Sequence, residues 1–193
     1  MRVVMLRHGR TDWNIRRRVQ GRTDIPLSPE GRADLAGHRL PQDLAEGRWF
    51  TSPLVRARET AVLLGAAAPI ADGRLTEMNF GAWEGRTHAD ISAEDPAAMA
   101  LHEAMGLDMR PPGGETPREV QRRLIAFLTA HDGPDPLVIV SHKGVMRAAL
   151  ALASDWTMTA DPPWKIDWRA AQVFDWQAGH LTIGRLNVSL LGP

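Results

Sequence analysis

Two short, continuous apolar runs, at residues 3–6 and 137–140, constrain the fold of this chain more than any other feature. A short run without polar alternation is typical of a strand that is buried on both faces of a parallel sheet. The first run leads into His8 and the second into His142. Because ligands bind outside the carboxyl ends of the strands in open α/β sheets, we expect both histidines to lie in a binding site.

Helices with N-terminal caps are predicted between the strands. A serine or threonine followed by proline, as at Ser28, Ser52 and Thr116, is typical of a helix start. Helices are therefore predicted from Ser28 to about Leu40, from Ser52 to Ala66, from Thr116 to about His131 and from Val145 to Ala153, and further strands at 48–51, 69–71, 172–177 and 180–186. This order predicts a three-layer α/β/α fold, with a mainly parallel sheet and an antiparallel edge.

The length of 193 residues is that of a single domain, which we expect to span residues 1–193. Within it, residues 77–114 have an irregular pattern with two short helices, near 87–91 and 96–105. This segment follows a predicted strand and is therefore expected to form a lid-like insertion over the binding end of the sheet.

The composition excludes several classes of protein. The chain has no cysteine, which excludes disulfides, thiolate catalysis and cysteine-bound metals. Lys+Arg and Asp+Glu number 23 each, so no overall charge attracts nucleic acid or an anionic membrane. No apolar run is long enough to span a bilayer, and the first residues have no leader pattern. A cytoplasmic protein is expected.

Three predicted strand ends carry groups that could bind an anion. Arg7 and His8 follow the first strand, Arg56 follows the strand at 48–51, and His142 follows the strand at 137–140. Guanidinium groups pair bidentately with phosphate oxygens, and a neutral imidazole can attack phosphorus to give a phosphohistidine. A leaving alkoxide would need a proton, for which Glu77 is the candidate donor, with Glu84 close to it in the sequence.

Four blocks of sequence surround these groups, and they occur in a fixed order at fixed separations: LRHGRTDWN from Leu6, SPLVRARET from Ser52, LTEMNFGAWEG from Leu75 and SHKGV from Ser141. In this combination the chain resembles the histidine phosphatase superfamily, which has the phosphoglycerate mutase-like fold. The resemblance covers nearly the whole chain. It implies an enzyme that needs no metal and no organic cofactor.

The resemblance assigns a role to each residue of the site. It implies that His8 is the phosphorylated nucleophile and that Arg7, Arg56 and His142 hold the phosphoryl group. Glu77 would donate a proton to the leaving group and then accept one from the attacking water. Further phosphate or substrate contacts are expected from Thr11, Asn14 and Gly21.

The residues after Glu77 favour the phosphatase branch of this family over the mutase branch. They read Met78-Asn79-Phe80-Gly81, whereas the mutases carry an Arg-His-Tyr-Gly pattern, and this chain has no tyrosine. We expect a phosphomonoesterase that acts on a small phosphorylated metabolite. The alternatives are a phosphoglycerate mutase, an α-ribazole-5′-phosphate phosphatase, and a phosphoester-binding module without catalysis.

Two residues depart from the family pattern and suggest a substrate preference. Arg10 replaces a common acidic or amide residue, and Lys143 replaces a common glycine. If both side chains reach the mouth of the pocket, they favour substrates with a second anionic group. Separately, Trp156, Trp164 and Trp168 form a cluster for which ordinary packing is the favoured interpretation, with a homodimer surface or an aromatic substrate as the alternatives.

Overall fold

A mixed sheet of six strands forms the centre of the structure, a computed structural model that describes residues 1–192. The strands are β1 (Arg2–Arg7), β2 (Arg48–Thr51), β3 (Ile70–Ala71), β4 (Leu137–Ser141), β5 (Ala171–Gln177) and β6 (His180–Val188). Their order is β3-β2-β4-β1-β5-β6; the pairings β1–β5 and β5–β6 are antiparallel, and the pairings β1–β4, β2–β4 and β2–β3 are parallel. The predicted sheet, with its antiparallel edge, is confirmed.

Helices cover both faces of this sheet. They are α1 (Asp12–Ile15), α2 (Pro29–Leu35), α3 (Gln42–Ala45), α4 (Val55–Leu63), α5 (His88–Glu94), α6 (Pro96–Ala104), α7 (Pro117–Ala130) and α8 (Lys143–Leu152). Successive strand residues point to opposite faces. Met5 and Ile139 therefore pack with α7 and α8, whereas Leu6 and Val140 pack with α3 and α4. The three-layer architecture is confirmed.

The register of the parallel strands brings their carboxyl ends to one edge. Arg7 of β1 pairs with Ser141 of β4, and Thr51 of β2 pairs with Val140 of the same strand. The backbone N–H of His8 extends the ladder by donating to Ser141 O at 3.0 Å. The residues that directly follow β1, β2 and β4 consequently lie close together at this edge of the sheet.

The structure corrects the ends of three predicted helices. Helix α2 ends at Leu35 rather than near Leu40, because Gly37 takes a left-handed φ of 76° that ends the helix. Helix α4 begins at Val55 and not after Ser52, since the first free N–H of the helix is capped by Asp24 from a distant loop, at 2.8 Å.

Helix α8 begins at Lys143, two residues before the predicted start, with His142 in the N-cap position. The helix start predicted at Thr116 is confirmed, and Thr116 and Glu119 form a capping box at the start of α7. Every helix within residues 1–192 is too short or too polar to serve as a membrane span.

The segment 77–114 contains α5, α6 and two short 3-10 turns, at Gly81–Trp83 and Gly106–Asp108. It has a small apolar cluster of its own, built from Trp83, Ile91 and Met99. Side chains of this segment share a cavity with His8, so the segment forms part of the wall over the carboxyl ends of the strands.

Candidate active site

A cavity of about 780 Å³ opens at the carboxyl ends of β1 and β4. Arg7, His8 and Glu77 lie in its wall, together with Lys143 at the start of α8. His142 and Arg56 lie behind this surface and are fully buried. The structure thus brings together the strand-end groups that the sequence singled out, which are far apart along the chain.

The two imidazole rings face each other at the base of this cavity. Their centroids are 5.1 Å apart and their planes are tilted by 56°. Nδ1 of His8 lies 2.7 Å from the carbonyl oxygen of Gly9. A carbonyl oxygen can only accept a hydrogen bond, so Nδ1 must carry the proton. In a neutral ring, the lone pair is then on Nε2.

Burial keeps both rings neutral. Burial, followed by the charges of Arg7 and Arg56, holds the pKa of His8 well below its usual 6.5. Burial also holds the pKa of His142 well below 6.5, and neighbouring His8 and the arginines act in the same direction. At neutral pH, His8 therefore has a free electron pair in a strongly positive surrounding, which is the state a nucleophile needs.

Arg56 is held beneath the rings by the backbone of one loop. Its two terminal nitrogens donate to Thr23 O at 2.8 Å and to Gly21 O at 2.7 Å. The loop is in turn fixed by Glu84, whose carboxylate accepts from the backbone N–H groups of Arg22 and Thr23, both at 2.9 Å. Gly21 has a left-handed φ of 54°, which lets its carbonyl face the guanidinium.

Several buried donors around His8 have no hydrogen-bond partner among residues 1–192. They are Nε of Arg7, Nε of Arg56 and the protonated ring nitrogen of His142, whose second ring nitrogen, an acceptor in the neutral ring, is unpaired as well. Buried polar groups in proteins are normally hydrogen-bonded, because an unpaired one costs about 1–3 kcal/mol. Donors on three different segments that are all left unpaired beside one imidazole indicate a preformed site for an oxyanion.

Glu77 is the buried carboxyl group of the cavity wall. Its oxygens accept from the backbone N–H groups of Met78 at 2.8 Å and Gly144 at 3.2 Å. Burial raises the pKa of Glu77 above 4.5, although these two N–H groups and the charge of Arg56 oppose the shift. Glu84, the neighbouring acid in sequence, does not line the cavity. Its carboxylate instead accepts hydrogen bonds from the loop that holds Arg56.

Thr11 and Asn14 occupy different positions relative to the cavity. Asn14 lies in the cavity wall. Thr11 is completely buried, and its hydroxyl accepts from Asn14 N at 3.2 Å and from Gln20 Nε2 at 2.7 Å. In this structure Thr11 caps α1 and thereby orients Asn14.

Lys143 and Arg10, the two departures from the family pattern, lie in different cavities. Lys143 lies in the wall of the cavity described above, with Nζ 5.3 Å from the centre of the Trp168 ring. Arg10 lies in the wall of an adjacent cavity that also reaches His8, and its Nε contacts Asp34 at 2.7 Å. The structure therefore separates the two cations that the sequence suggested as a pair.

Thr60, in α4, has a role that the sequence does not indicate. Its hydroxyl accepts from the backbone N–H of Gly9 at 2.9 Å and donates to Arg56 O at 2.6 Å. It thereby ties the turn after His8 to the helix that carries Arg56. A threonine four residues after an arginine has no distinctive sequence signal, and only the tertiary contact reveals this role.

The arrangement provides what transfer of a phosphoryl group requires. It has a neutral imidazole with a free Nε2, unpaired donors for the non-bridging oxygens, and a buried carboxyl group with a raised pKa. We call Arg7, His8, Arg56 and His142 the phosphate end of the site. The body end is the more distant part of the cavity, lined by Trp83, His102, Met109 and Met158.

Comparison with known proteins agrees with this reading. The model of the histidine phosphatase superfamily, branch 1, matches residues 3–189. A glucosyl-3-phosphoglycerate phosphatase of Mycobacterium tuberculosis is 39% identical over 171 residues, which is 78% of this chain and 74% of that protein. A 2,3-bisphosphoglycerate-dependent phosphoglycerate mutase of Gloeobacter violaceus is 30% identical over 164 residues, 77% of this chain and 73% of that protein.

A solved structure extends the similarity to the fold. The structure of a mycobacterial glucosyl-3-phosphoglycerate phosphatase in complex with VO3 superimposes with a TM-score of 0.79 at 30% identity, and covers 97% of this chain and 99% of that one. The phosphoglycerate mutase-like fold predicted from the sequence is thereby confirmed.

Proposed function

We propose that this chain, which belongs to branch 1 of the histidine phosphatase superfamily and is a phosphomonoesterase, hydrolyses its substrate through a phosphohistidine on His8. The observation that carries the proposal is the set of unpaired buried donors on Arg7, Arg56 and His142 beside the free Nε2 of His8. The substrates of the family are small phosphorylated molecules.

In the first step, Nε2 of His8 attacks phosphorus. The N–P bond forms as the bond between phosphorus and the ester oxygen breaks, and the leaving oxygen takes the proton of Glu77. The hydrogen bond from Nδ1 to Gly9 O, 2.7 Å long, fixes the ring and stabilises the positive charge that the phosphorylated imidazole acquires. A carboxyl group whose pKa is raised by burial is suited to be protonated for this role.

The phosphoryl oxygens are stabilised during this step by groups that are already in place. Arg56 is fixed by two carbonyl oxygens, so its free Nε can bind an oxyanion without reorganising. The neutral ring of His142 adds an N–H donor. Preorganised donors of this kind are usually the largest contribution to catalysis.

In the second step, water attacks the phosphohistidine. Glu77, now a carboxylate, takes a proton from the water as the O–P bond forms and the N–P bond breaks. Inorganic phosphate leaves, while His8 regains its lone pair on Nε2 and Glu77 its proton. The same carboxyl group thus acts as acid and then as base, and the chain's own residues balance every proton.

Hydrolysis and phosphoryl transfer to a second acceptor can be separated experimentally. The purified chain should release inorganic phosphate from a panel of phosphomonoesters, and excess EDTA should not reduce the rate. The same preparation should not convert 3-phosphoglycerate to the 2-isomer, with or without a bisphosphate primer. Rapid isomerisation with little phosphate release would establish the mutase instead, and binding of phosphoesters without either reaction would establish a binding module.

Two further parts of the proposal concern the setting of the enzyme. We propose that it acts in the cytoplasm, where small phosphorylated metabolites are produced and consumed, and cell fractionation tests this location. The tryptophans at 156, 164 and 168 pack against the core around α7 and α8. Light scattering of the purified protein tests whether they also support a homodimer.

A further inference from the structure

Helix α8 presents two cations to the cavity, and neither forms an ion pair within residues 1–192. Lys143 and Arg147 lie four residues apart, so they share one face of the helix, about 6 Å apart along its axis. Both line the cavity that contains His8. Within residues 1–192, no carboxylate oxygen lies within 4.0 Å of either charged group, and neither donates a side-chain hydrogen bond.

Each of these cations makes a cation–π contact with a tryptophan ring. Nζ of Lys143 lies 5.3 Å from the centre of Trp168, and Cζ of Arg147 lies 4.8 Å from the centre of Trp156. Cation–π contacts hold a charged group in place without removing its charge. The two tryptophan rings are themselves packed against the apolar core. The cations are therefore positioned, and their capacity to bind an anion is unused within the described chain.

The rest of the cavity wall does not cancel this charge. Glu77 is buried and bonded to backbone N–H groups, and Glu103 lies 3.4 Å from His88. Asp161 attracts both cations from a distance beyond 4.0 Å. Burial, followed by repulsion from Arg7 and Arg147, lowers the pKa of Lys143, although Glu77 and Asp161 oppose the shift.

The position of these cations relative to the phosphate end defines what they can bind. Lys143 directly follows His142 in the chain, and Arg147 lies one helical turn further from the strand end. An anion bound there would be close to a phosphoryl group on His8 but separate from it. Lysine provides a compact charge and arginine a planar fork, and both fit a carboxylate or a phosphate.

We propose that Lys143 and Arg147 bind a second anionic group of the substrate, a carboxylate or a second phosphate, while the ester phosphate lies against His8. The inference rests on the proposed function and names the substrate class: a phosphomonoester with a second negative charge a few bonds from the ester. It replaces the pair of Arg10 and Lys143 suggested by the sequence with a pair on one helix.

Matched esters test this proposal in the unmodified protein. Glycerol 3-phosphate and 3-phosphoglycerate differ only in a hydroxymethyl group and a carboxylate, and 2,3-bisphosphoglycerate adds a second phosphate. We expect kcat/KM to be at least about tenfold higher for an ester with the second anion than for glycerol 3-phosphate, because a charge-assisted hydrogen bond is gained. Comparing 3-phosphoglycerate with 2,3-bisphosphoglycerate, which carries both anions, shows whether the second phosphate adds to the effect of the carboxylate.

Two variants and a matched control then locate the effect. Lys143→Met and Arg147→Met keep the apolar stem of each side chain but remove the charge. Each should lower the preference for the second anion about tenfold, mainly through KM. Lys165→Met removes the same charge from an exposed lysine that lines neither cavity, and should leave the preference unchanged.

The outcomes distinguish this inference from the proposed function. Hydrolysis of 4-nitrophenyl phosphate by every variant would show that the phosphohistidine chemistry is intact. An equal kcat/KM for all three esters in the unmodified protein overturns the subsite, as does an unchanged preference in both Lys143→Met and Arg147→Met. Failure of the proposed function would instead appear as the absence of hydrolysis with every ester, 4-nitrophenyl phosphate included.

Discussion

The groups at the phosphate end come from the sheet and from the start of a helix, whereas the body end is lined largely by the segment 77–114 and by residues 158–161. His8 and His142 directly follow paired strands, and Arg56 lies in the first turn of α4. A register of hydrogen bonds fixes the phosphate end, but short helices and turns form the body end. This contrast indicates that the sheet positions the catalytic residues, whereas the segments that connect its strands determine substrate specificity.

The largest effect is expected from the nucleophile. His8→Gln should lower kcat at least about 1,000-fold with every substrate, because no other group at this position can accept the phosphoryl group. Steady-state phosphate release measures the loss, and circular dichroism confirms that the variant is folded. His180→Gln, at an exposed histidine in β6, is the matched control and should retain full activity. Substantial turnover by His8→Gln would contradict the assignment.

Arg56 should have the next largest effect, and it should be independent of the substrate. Arg56→Met removes a preorganised donor and should lower kcat/KM by about 100- to 1,000-fold for all esters alike. It also leaves the carbonyls of Gly21 and Thr23 without their partner, so thermal unfolding should begin earlier. Arg58→Met, at an exposed position of the same helix, is the control. A loss that depended on the part of the ester beyond the phosphate would contradict the separate roles of the two ends.

Glu77 should have an effect that depends on the leaving group. Glu77→Gln should reduce phosphorylation of the enzyme about 100-fold for alkyl phosphates, which need a proton on the leaving oxygen. For 4-nitrophenyl phosphate, whose leaving group is stable as an anion, the loss of this first step should be only a few-fold. Single-turnover rates with both ester types measure the difference, and equal losses would remove Glu77 from the role of acid.

The pH dependence should follow from the same groups. The pKa of Glu77 is raised by burial, so the acid is protonated at low pH and is lost as the pH rises through its pKa. Above this pKa, kcat/KM for alkyl esters should fall about tenfold for each unit of pH. The pKa of His8 is lowered, so no loss from protonation of this ring is expected until well below pH 6.5. If Glu77→Gln no longer shows this fall of kcat/KM at high pH, the fall is due to Glu77. If the variant still shows it, another group is responsible.

The smallest effect is expected at the body end. Met109 lines the cavity and packs against the apolar cluster of the segment 77–114. Met109→Ala should change KM by about two- to tenfold for esters with large bodies, since loss of a few methylene contacts has this magnitude. It should leave kcat for 4-nitrophenyl phosphate within about twofold. A uniform loss across large and small esters would show that the two ends are not separable.

Much of the phosphate end could be predicted from the sequence because short apolar strands end directly in the functional residues. Once Val3–Leu6 and Leu137–Val140 are placed side by side in a parallel sheet, His8 and His142 must lie together. The ladder of hydrogen bonds between the two strands sets this register, whatever the packing of the side chains.

The parts that could not be predicted depend on contacts between distant loops. The start of α4 is set by Asp24, and the position of Arg56 by the carbonyls of Gly21 and Thr23. The interaction of Arg10 with Asp34 joins the turn after β1 to α2, and their approach has no local signal in the sequence. Arg147 lies within the helix predicted from Val145 to Ala153, but its alignment with Lys143 on one face follows only from the earlier start of α8.

The most direct measurement is to trap the enzyme during turnover with a 32P-labelled ester. The reaction is quenched within milliseconds in alkaline detergent, which preserves phosphohistidine, and the labelled residue is then located. We predict a label on His8 that is stable to base and labile to acid, and that accumulates to higher levels with 4-nitrophenyl phosphate than with alkyl esters. Turnover without a labelled intermediate, or a label on His142, would contradict the account.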